Sequence, residues 1–331
     1  MVNRISLTAT LLVTLAAGMP SLAAAQSQTR GEFPSRPVRL ITLTAPGGAL
    51  DVTARTIASR LSERLGQPFV VENRPGASGN IGLDMVAKAP PDGYTIGTCT
   101  TSTHGINPAL YGARMPFDPV RDFAPISTIA ELNNVIVVHP SVPARNIKEL
   151  VDYSRGNPGK LSFGSSGTGS SQHLGGEMLK GMAGIDMQHI PYKGLAQAIP
   201  DILSGQISLI FSSIPDALPH IRSGKLRALA VTSTRKADLL PDVTPVSQQG
   251  YPDYNVRGWF GLVAPAGTPG DIVNIYNREI VQAMAQGEAR NRLVSIGLDP
   301  VTMSPEQFAG FIRDEIGKWT AVVRSSGARA E

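Results

Sequence analysis

Two strand-loop-helix units constrain this chain more than anything else in it, because each places a glycine-rich loop directly between a short apolar run and an amphipathic helix. The first reads Val38-Arg39-Leu40-Ile41-Thr42 and then Thr44-Ala45-Pro46-Gly47-Gly48-Ala49-Leu50-Asp51. The second reads Leu161-Ser162-Phe163 and then Gly164-Ser165-Ser166-Gly167-Thr168-Gly169-Ser170. Loops of this kind leave backbone N–H groups and hydroxyls at the positive end of a helix dipole, where a small anion is held. Neither carries a nucleotide signature: Gly164 and Gly169 have P-loop separation, but Ser170 stands where the lysine is required.

The pattern around both units is that of open α/β sheets. After the first loop, Ala54, Ile57, Ala58, Leu61 and Leu65 form one helical face, and Gly66 ends the helix. Strands follow at Phe69 to Val71 and Tyr94 to Cys99, with a helix over 81–88 between them, an order that predicts a parallel sheet covered by helices. A second set begins with a strand over 133–139 and a helix over 147–154 capped by Asn146. It continues with the second glycine loop, its helix over 170–182, and strands near 187–190, 207–211 and 226–232. A strand around 259–264 and three helices complete the chain. The fold class is therefore α/β with two lobes: lobe 1 from 26–130 plus 236–331, lobe 2 from 131–235. Two crossing segments, near 129–133 and 234–242, form the hinge.

Residues 1–25 read as an export signal, with Arg4 before an apolar stretch and Ala23 and Ala25 in the small-residue positions of a cleavage site near Ala25. Thr8, Thr10, Thr14, Gly18 and Pro20 interrupt that stretch, which is too broken for the about 20 apolar residues of a membrane span. The expected location is the periplasm. Lys and Arg number 30 against 26 Asp and Glu, so the formal charge of +4 falls to +3 once Arg4 leaves. That mild, scattered balance has no basic stripe for nucleic acid. The single cysteine, Cys99, makes no internal disulfide and fits a buried strand position.

Candidate contacts come from the strand ends, where open α/β sheets receive their ligands. In the first loop these are Thr44, Ala45, Gly47 and Gly48, with Asp51 assigned to helix capping or the dipole rather than to an anion. Thr101 and Ser102 follow the third strand, and Ser165, Ser166, Thr168 and Ser170 make the second loop rich in hydroxyl donors. Tyr192 and Lys193 follow a later strand as a flat wall and a cation; His173 stands one turn into the second-loop helix. Trp259 and Trp319 read as packing residues. The five histidines lack the spacing of a metal site, and no cofactor is expected. Ser166, His173 and Asp201 occur without a G-x-S-x-G elbow, which argues against a hydrolase.

Several motifs, in order along the mature chain, resemble one family: Ser35-Arg36-Pro37-Val38-Arg39 with Ala45-Pro46-Gly47-Gly48-Ala49-Leu50-Asp51, Val71-Glu72-Asn73-Arg74-Pro75-Gly76-Ala77, Pro91-Asp92-Gly93-Tyr94-Thr95, His189-Ile190-Pro191-Tyr192-Lys193-Gly194, and Gly258-Trp259-Phe260-Gly261-Leu262-Val263-Ala264-Pro265. The chain is similar to the Bug-type solute receptors of tripartite tricarboxylate transporters. The resemblance implies a type II periplasmic binding protein whose lobes close, in Venus-flytrap fashion, on one organic acid gripped by backbone groups, hydroxyls and bridging waters. It also implies a monomer that delivers a mono- or dicarboxylate to a membrane permease and has no enzymatic activity. A receptor presenting the bound form to a sensor kinase has the same sequence features. Leu43-Thr44 departs from the apolar or aromatic residue common before Ala-Pro-Gly-Gly in the family.

Overall fold

Strand β1 (Val38–Thr42) is flanked by β2 (Phe69–Asn73) and β3 (Thr95–Thr100), parallel to both, with α1 (Ala49–Leu65) and α2 (Asn80–Ala87) as the crossovers. This is the order the sequence predicts. It forms because Ala54, Ile57, Ala58 and Leu61 are one buried stripe on α1, while the arginines at 55, 60 and 64 remain outside it. The structure, a computed structural model, describes residues 33–192 and 195–328, with backbone alone at position 196. The expected export signal, its cleavage site and Lys193 lie outside the described residues. Among the described residues no helix is long and apolar enough to cross a membrane.

A short α3 (Asn107–Tyr111) leads to β4 (Phe123–Val138), and a second α/β set follows. It comprises α4 (Ile147–Gly156), β5 (Ser162–Ser165), α5 (Ser171–Ala183), β6 (Gln188–Pro191), α6 (Leu195–Leu203), β7 (Leu209–Ser213), α7 (Ile214–Arg222) and β8 (Arg227–Val231). The chain then returns through β9 (Arg257–Pro265), α8 (Gly270–Ala285), α9 (Glu288–Ser295), β10 (Leu298–Pro300) and α10 (Pro305–Ser326). Asn146 caps α4 as expected, its side chain accepting from the N–H of Glu149.

Strand β4 organises the two lobes. The sequence pattern predicts a strand only from Asn133, yet β4 begins at Phe123 and runs unbroken through the expected first crossing. Pro125, Ser127, Thr128 and Glu131 hide its apolar rhythm in the sequence, and pairing with β9 and β10 supplies what propensity does not. Residues Phe123 to Asn133 pair antiparallel with β9; Asn134 to Val138 pair with β7, and Val135 to Val138 with β8. One strand thus serves two sheets, β2-β1-β3-β9-β4 in one lobe and β4-β7-β5-β6 in the other. The first lobe's core gathers Leu40, Ile57, Ile96, Leu262 and Tyr276; the second gathers Phe163, Leu174, Phe211, Tyr254 and Val256. Tyr254 and Val256 therefore pack with the second lobe although they lie beyond the expected boundary at 235. Cys99 is fully buried in β3, as expected, and burial pushes its thiol pKa well up.

Helix α10 spans both cores. Its capping box pairs Ser304 with Gln307. Phe308 and Ile312 pack in one cluster with Trp259, and Trp319 and Val323 pack in the other with Phe163. Between them sits Glu315, only 5% exposed. Its Oε2 accepts from Trp259 Nε1 at 3.0 Å and from Trp319 Nε1 at 2.9 Å, and its Oε1 accepts from Lys318 Nζ. Trp319 reaches this position because Gly105 has no side chain: a Cβ there would lie 2.8 Å from Trp319 Cδ1. Glu315→Ala orphans two buried indole donors at about 1–3 kcal/mol each. Chemical denaturation should register a loss of about 2–6 kcal/mol on that basis, with Glu315→Gln losing less.

Candidate functional site

The predicted contact residues sit at the C-terminal ends of parallel strands, as expected for ligand sites of open α/β sheets. In the first lobe, β1 and β3 run side by side with Ile41 opposite Gly97, so Thr44 to Gly48 and Thr101–Ser102 leave the same edge. Leu43 and Thr103 both approach Gly79, which joins the loop after β2 to them. In the second lobe, Ser165 pairs with Pro191, setting the serine-glycine loop beside Tyr192. The serine-glycine loop also meets α3: a Cβ on Gly169 would stand 2.4 Å from Leu110 Cδ1, and Gly169 has φ +78°. Only glycine meets both conditions.

Residues 45–49 of the first loop are exposed, and Thr44 is half-buried behind them. The Thr44 hydroxyl is itself buried and has no partner among the described residues. The loop is shaped by Asp51, whose Oδ2 accepts from the N–H of Gly47 at 2.9 Å and from Arg55 Nε at 3.0 Å. Asn73 Nδ2 bridges Asp51 Oδ1 and the carbonyl of Thr44, both at 2.8 Å. Asp51 thus acts structurally, as expected, though it closes the backbone ahead of α1 and so takes the Gly47 N–H away from any ligand. Burial raises its pKa, but the bonds from Arg55, Gly47 and Asn73 outweigh burial and hold the carboxyl below its ordinary value.

Thr101 is buried, and its Oγ1 accepts from the N–H of Trp259 at 2.7 Å, so it ties the site to β9 and retains one hydroxyl proton. Ser102 is half-buried at the start of a π-helical turn over 102–106. Across the cleft, Ser166 donates to Gln172 Oε1 at 2.9 Å, Thr168 is exposed, and Ser170 caps α5 by accepting from the N–H of His173. Ser165 is fully buried against His189. The Tyr192 ring packs with the second lobe, and its hydroxyl donates to Asp201 Oδ2 at 2.6 Å on α6. Burial, then that carboxylate, push the phenol up to about 12.

Sequence reasoning missed four features here. Gln172 holds Ser166; Asn73 holds the first loop; Ser212, at the end of β7, keeps a buried hydroxyl without a partner among the described residues. Ala77 and Ser78 have φ of 46° and 53°, a conformation non-glycine residues adopt at a cost of about 1–3 kcal/mol and one concentrated at ligand sites. The strand-end rule reaches Ser212 once β7 is known to extend past Phe211. No sequence rule marks the other three, since their partners are distant in the chain or their backbone is set by neighbours. Among the described residues no group of His, Cys, Asp and Glu is placed to hold a metal.

Comparison with known proteins identifies one family. The family described as "Tripartite tricarboxylate transporter family receptor" matches residues 53–328. BugT of Bordetella pertussis is 36% identical over 301 residues, 90% of this chain and 91% of that protein. A structure from R. palustris with adipate is 36% identical, covers 90% of this chain and 99% of its own, and has a TM-score of 0.77. MatC from Rhodopseudomonas palustris with bound malate is 30% identical, covers 88% and 100%, and has a TM-score of 0.73.

The Asp51 network carries a pH dependence of known sign. A depressed folded-state pKa means that its contribution is complete at neutral pH and is lost as pH falls below about 4, through the folded value. Thermal unfolding should therefore show wild type above Asp51→Asn at neutral pH, with the gap narrowing as the medium becomes acidic.

Proposed function

The chain belongs to the tripartite tricarboxylate transporter receptor family, periplasmic solute receptors rather than enzymes, and from that premise we propose that it captures a small mono- or dicarboxylate between its lobes. The observation that supports this reading is the approach of the serine-glycine loop, at Gly169, to Leu110 on α3; in this reading the hydroxyl-rich strand ends of both lobes face one cleft. The anion would be held by Ala45, Gly48 and the Thr44 hydroxyl from one side and by Ser166, Thr168 and the start of α5 from the other. Helix N-termini on both sides favour negative charge without a formal cation, and waters complete hydrogen bonds that side chains do not reach. In this reading Ser102 and Thr101 line the first-lobe edge and Tyr192 flanks the second loop, and the sequence offers Lys193 as a further contact.

Closure in this reading is a rotation of the lobes about the segments where β4 passes Leu132 to Asn134 and where β9 begins at Arg257. The closed form delivers the acid to a membrane permease, after an export signal cleaved near Ala25 has released the chain as a monomer into the periplasm. The relatives with adipate and with malate make these two dicarboxylates the first to test.

Thermal unfolding of the mature protein, refolded to remove carried ligand, should respond to one acid class. A ligand at about a hundred times its dissociation constant adds about 2.7 kcal/mol. Silence across dicarboxylates, tricarboxylates, acidic amino acids and aromatic acids rejects the reading. Replacing Ser166 and Thr168 together by alanine should weaken the responding acid by about 1–3 kcal/mol, roughly 5- to 150-fold, in calorimetric titration. Unchanged affinity removes those two side chains from the site.

A further inference from the structure

Beneath the serine-glycine loop two imidazoles lie face to face. The rings of His173 and His189 have centroids 3.8 Å apart and planes inclined by 17°, and Phe163 lies against His189 at 4.9 Å, tilted by 32°. Each ring holds a different point of the loop. His173 Nδ1 accepts from the N–H of Gly169 at 3.0 Å, and His189 Nε2 lies 2.7 Å from Ser165 Oγ. That same Oγ accepts from the N–H of Gly167 at 3.1 Å, so the pair and one serine fix the backbone at 165, 167 and 169. Gly169, the loop glycine that meets Leu110 on α3, is the one that His173 holds.

We propose that His173 and His189 are positioning residues that keep this loop in its ligand-accepting conformation only while both rings are uncharged, so that acid releases the carboxylate. The inference rests on the reading of this loop as a ligand contact. The chemistry is one of donor and acceptor count. The Nδ1 of His173 can accept from Gly169 only as an unprotonated nitrogen; a proton there sets two donors against each other, and the bond is lost. A cation also cannot spread its charge into water at this depth, and two stacked rings cannot both be cationic at this separation.

The surroundings favour the uncharged pair. Lys180, further along α5, adds positive charge, though Glu177 and Asp186 partly offset it at 3.1 Å and 3.9 Å. Tyr254, whose hydroxyl donates to the carbonyl of Gly175, and Tyr192, which donates to Asp201, are neutral phenols raised by burial. Burial first, then Lys180, lower His173 to about 4; burial, then His173 and Lys180, lower His189 to about 3. Above the ordinary imidazole value of about 6.5 neither state takes up protons. Below it the unfolded chain does so before the folded one, so stability falls with pH down to the folded values.

Two variants of the full mature chain separate positioning from mere support. In His173→Asn, Oδ1 replaces Nδ1 as an acceptor for Gly169 and does not titrate; His173→Leu keeps the volume and removes the acceptor. Binding of adipate and of malate is followed by calorimetry from neutral pH to about pH 4, with the amide resonances of Gly167 and Gly169 followed by NMR over the same range. At neutral pH, His173→Asn should bind within about threefold of wild type and His173→Leu about tenfold or more weakly, the effect of one lost hydrogen bond. Near pH 4, where about half of the wild-type His173 rings carry the proton, wild type should lose about twofold more affinity than His173→Asn, and its Gly169 amide alone should shift. Subtracting the His173→Asn profile removes the acid's own titration and that of His104.

Superimposable pH profiles of wild type and His173→Asn overturn the proposal, as does wild-type affinity in a folded His173→Leu. If His173→Leu does not fold, the comparison of the other two proteins still decides. If neither acid binds wild type at neutral pH, the ligand reading loses its first two candidates; the Gly169 amide then decides the positioning, and an unshifted resonance in acid overturns it.

Discussion

The carboxylate of Glu315 is the point on which both halves of the molecule depend. It receives the indole N–H of a first-lobe tryptophan and that of a tryptophan packed with the second-lobe core, while Lys318 balances its charge. A buried carboxylate costs several kcal/mol in lost hydration unless its hydrogen bonds are complete. Here they are supplied by three donors at once, so neither tryptophan can leave without orphaning a partner. The consequence extends to the cleft, since the backbone N–H of Trp259 is the group that Thr101 accepts. The site's first-lobe edge, β9 and α10 are therefore one hydrogen-bonded unit.

Around that anchor, the two glycine loops are shaped by buried and half-buried side chains. Asp51 pre-shapes the first loop through backbone and side-chain bonds, and the histidine pair does the same for the second. The two devices differ in physics. Asp51 works because it is ionised, with Arg55 and Asn73 as donors; the histidines work because they are not. Both loops are held by bonds that use the N–H groups of Gly47, Gly167 and Gly169. Preorganisation of this kind reduces the ordering cost that would otherwise subtract from affinity.

Much of this architecture was readable from local pattern. The i, i+3, i+4 stripe of α1, the Asn146 cap and the burial of Cys99 all follow from rules acting within one turn or one strand. So did the placement of candidate contacts at strand ends, because parallel strands put their C-terminal edges together. What escaped was non-local. The first half of β4 has a polar, proline-containing sequence that becomes a strand only between β9 and β10. Tyr192 looked like a cleft wall by its position after a strand, and a bond to Asp201 instead anchors it to α6.

The sequence by itself determined the alternation of strands and helices, the two glycine loops, and the neutral chemistry they present, because period, capping and hydroxyl content are local properties. Only the tertiary structure decided that His173 stacks on His189, that Gly169 meets Leu110, and that Glu315 joins Trp259 to a tryptophan packed with the second-lobe core. All but the Glu315–Trp319 bond within α10 link residues well separated along the chain. Their energies come from burial and complete hydrogen bonding, which no stretch of sequence specifies until the lobes are packed.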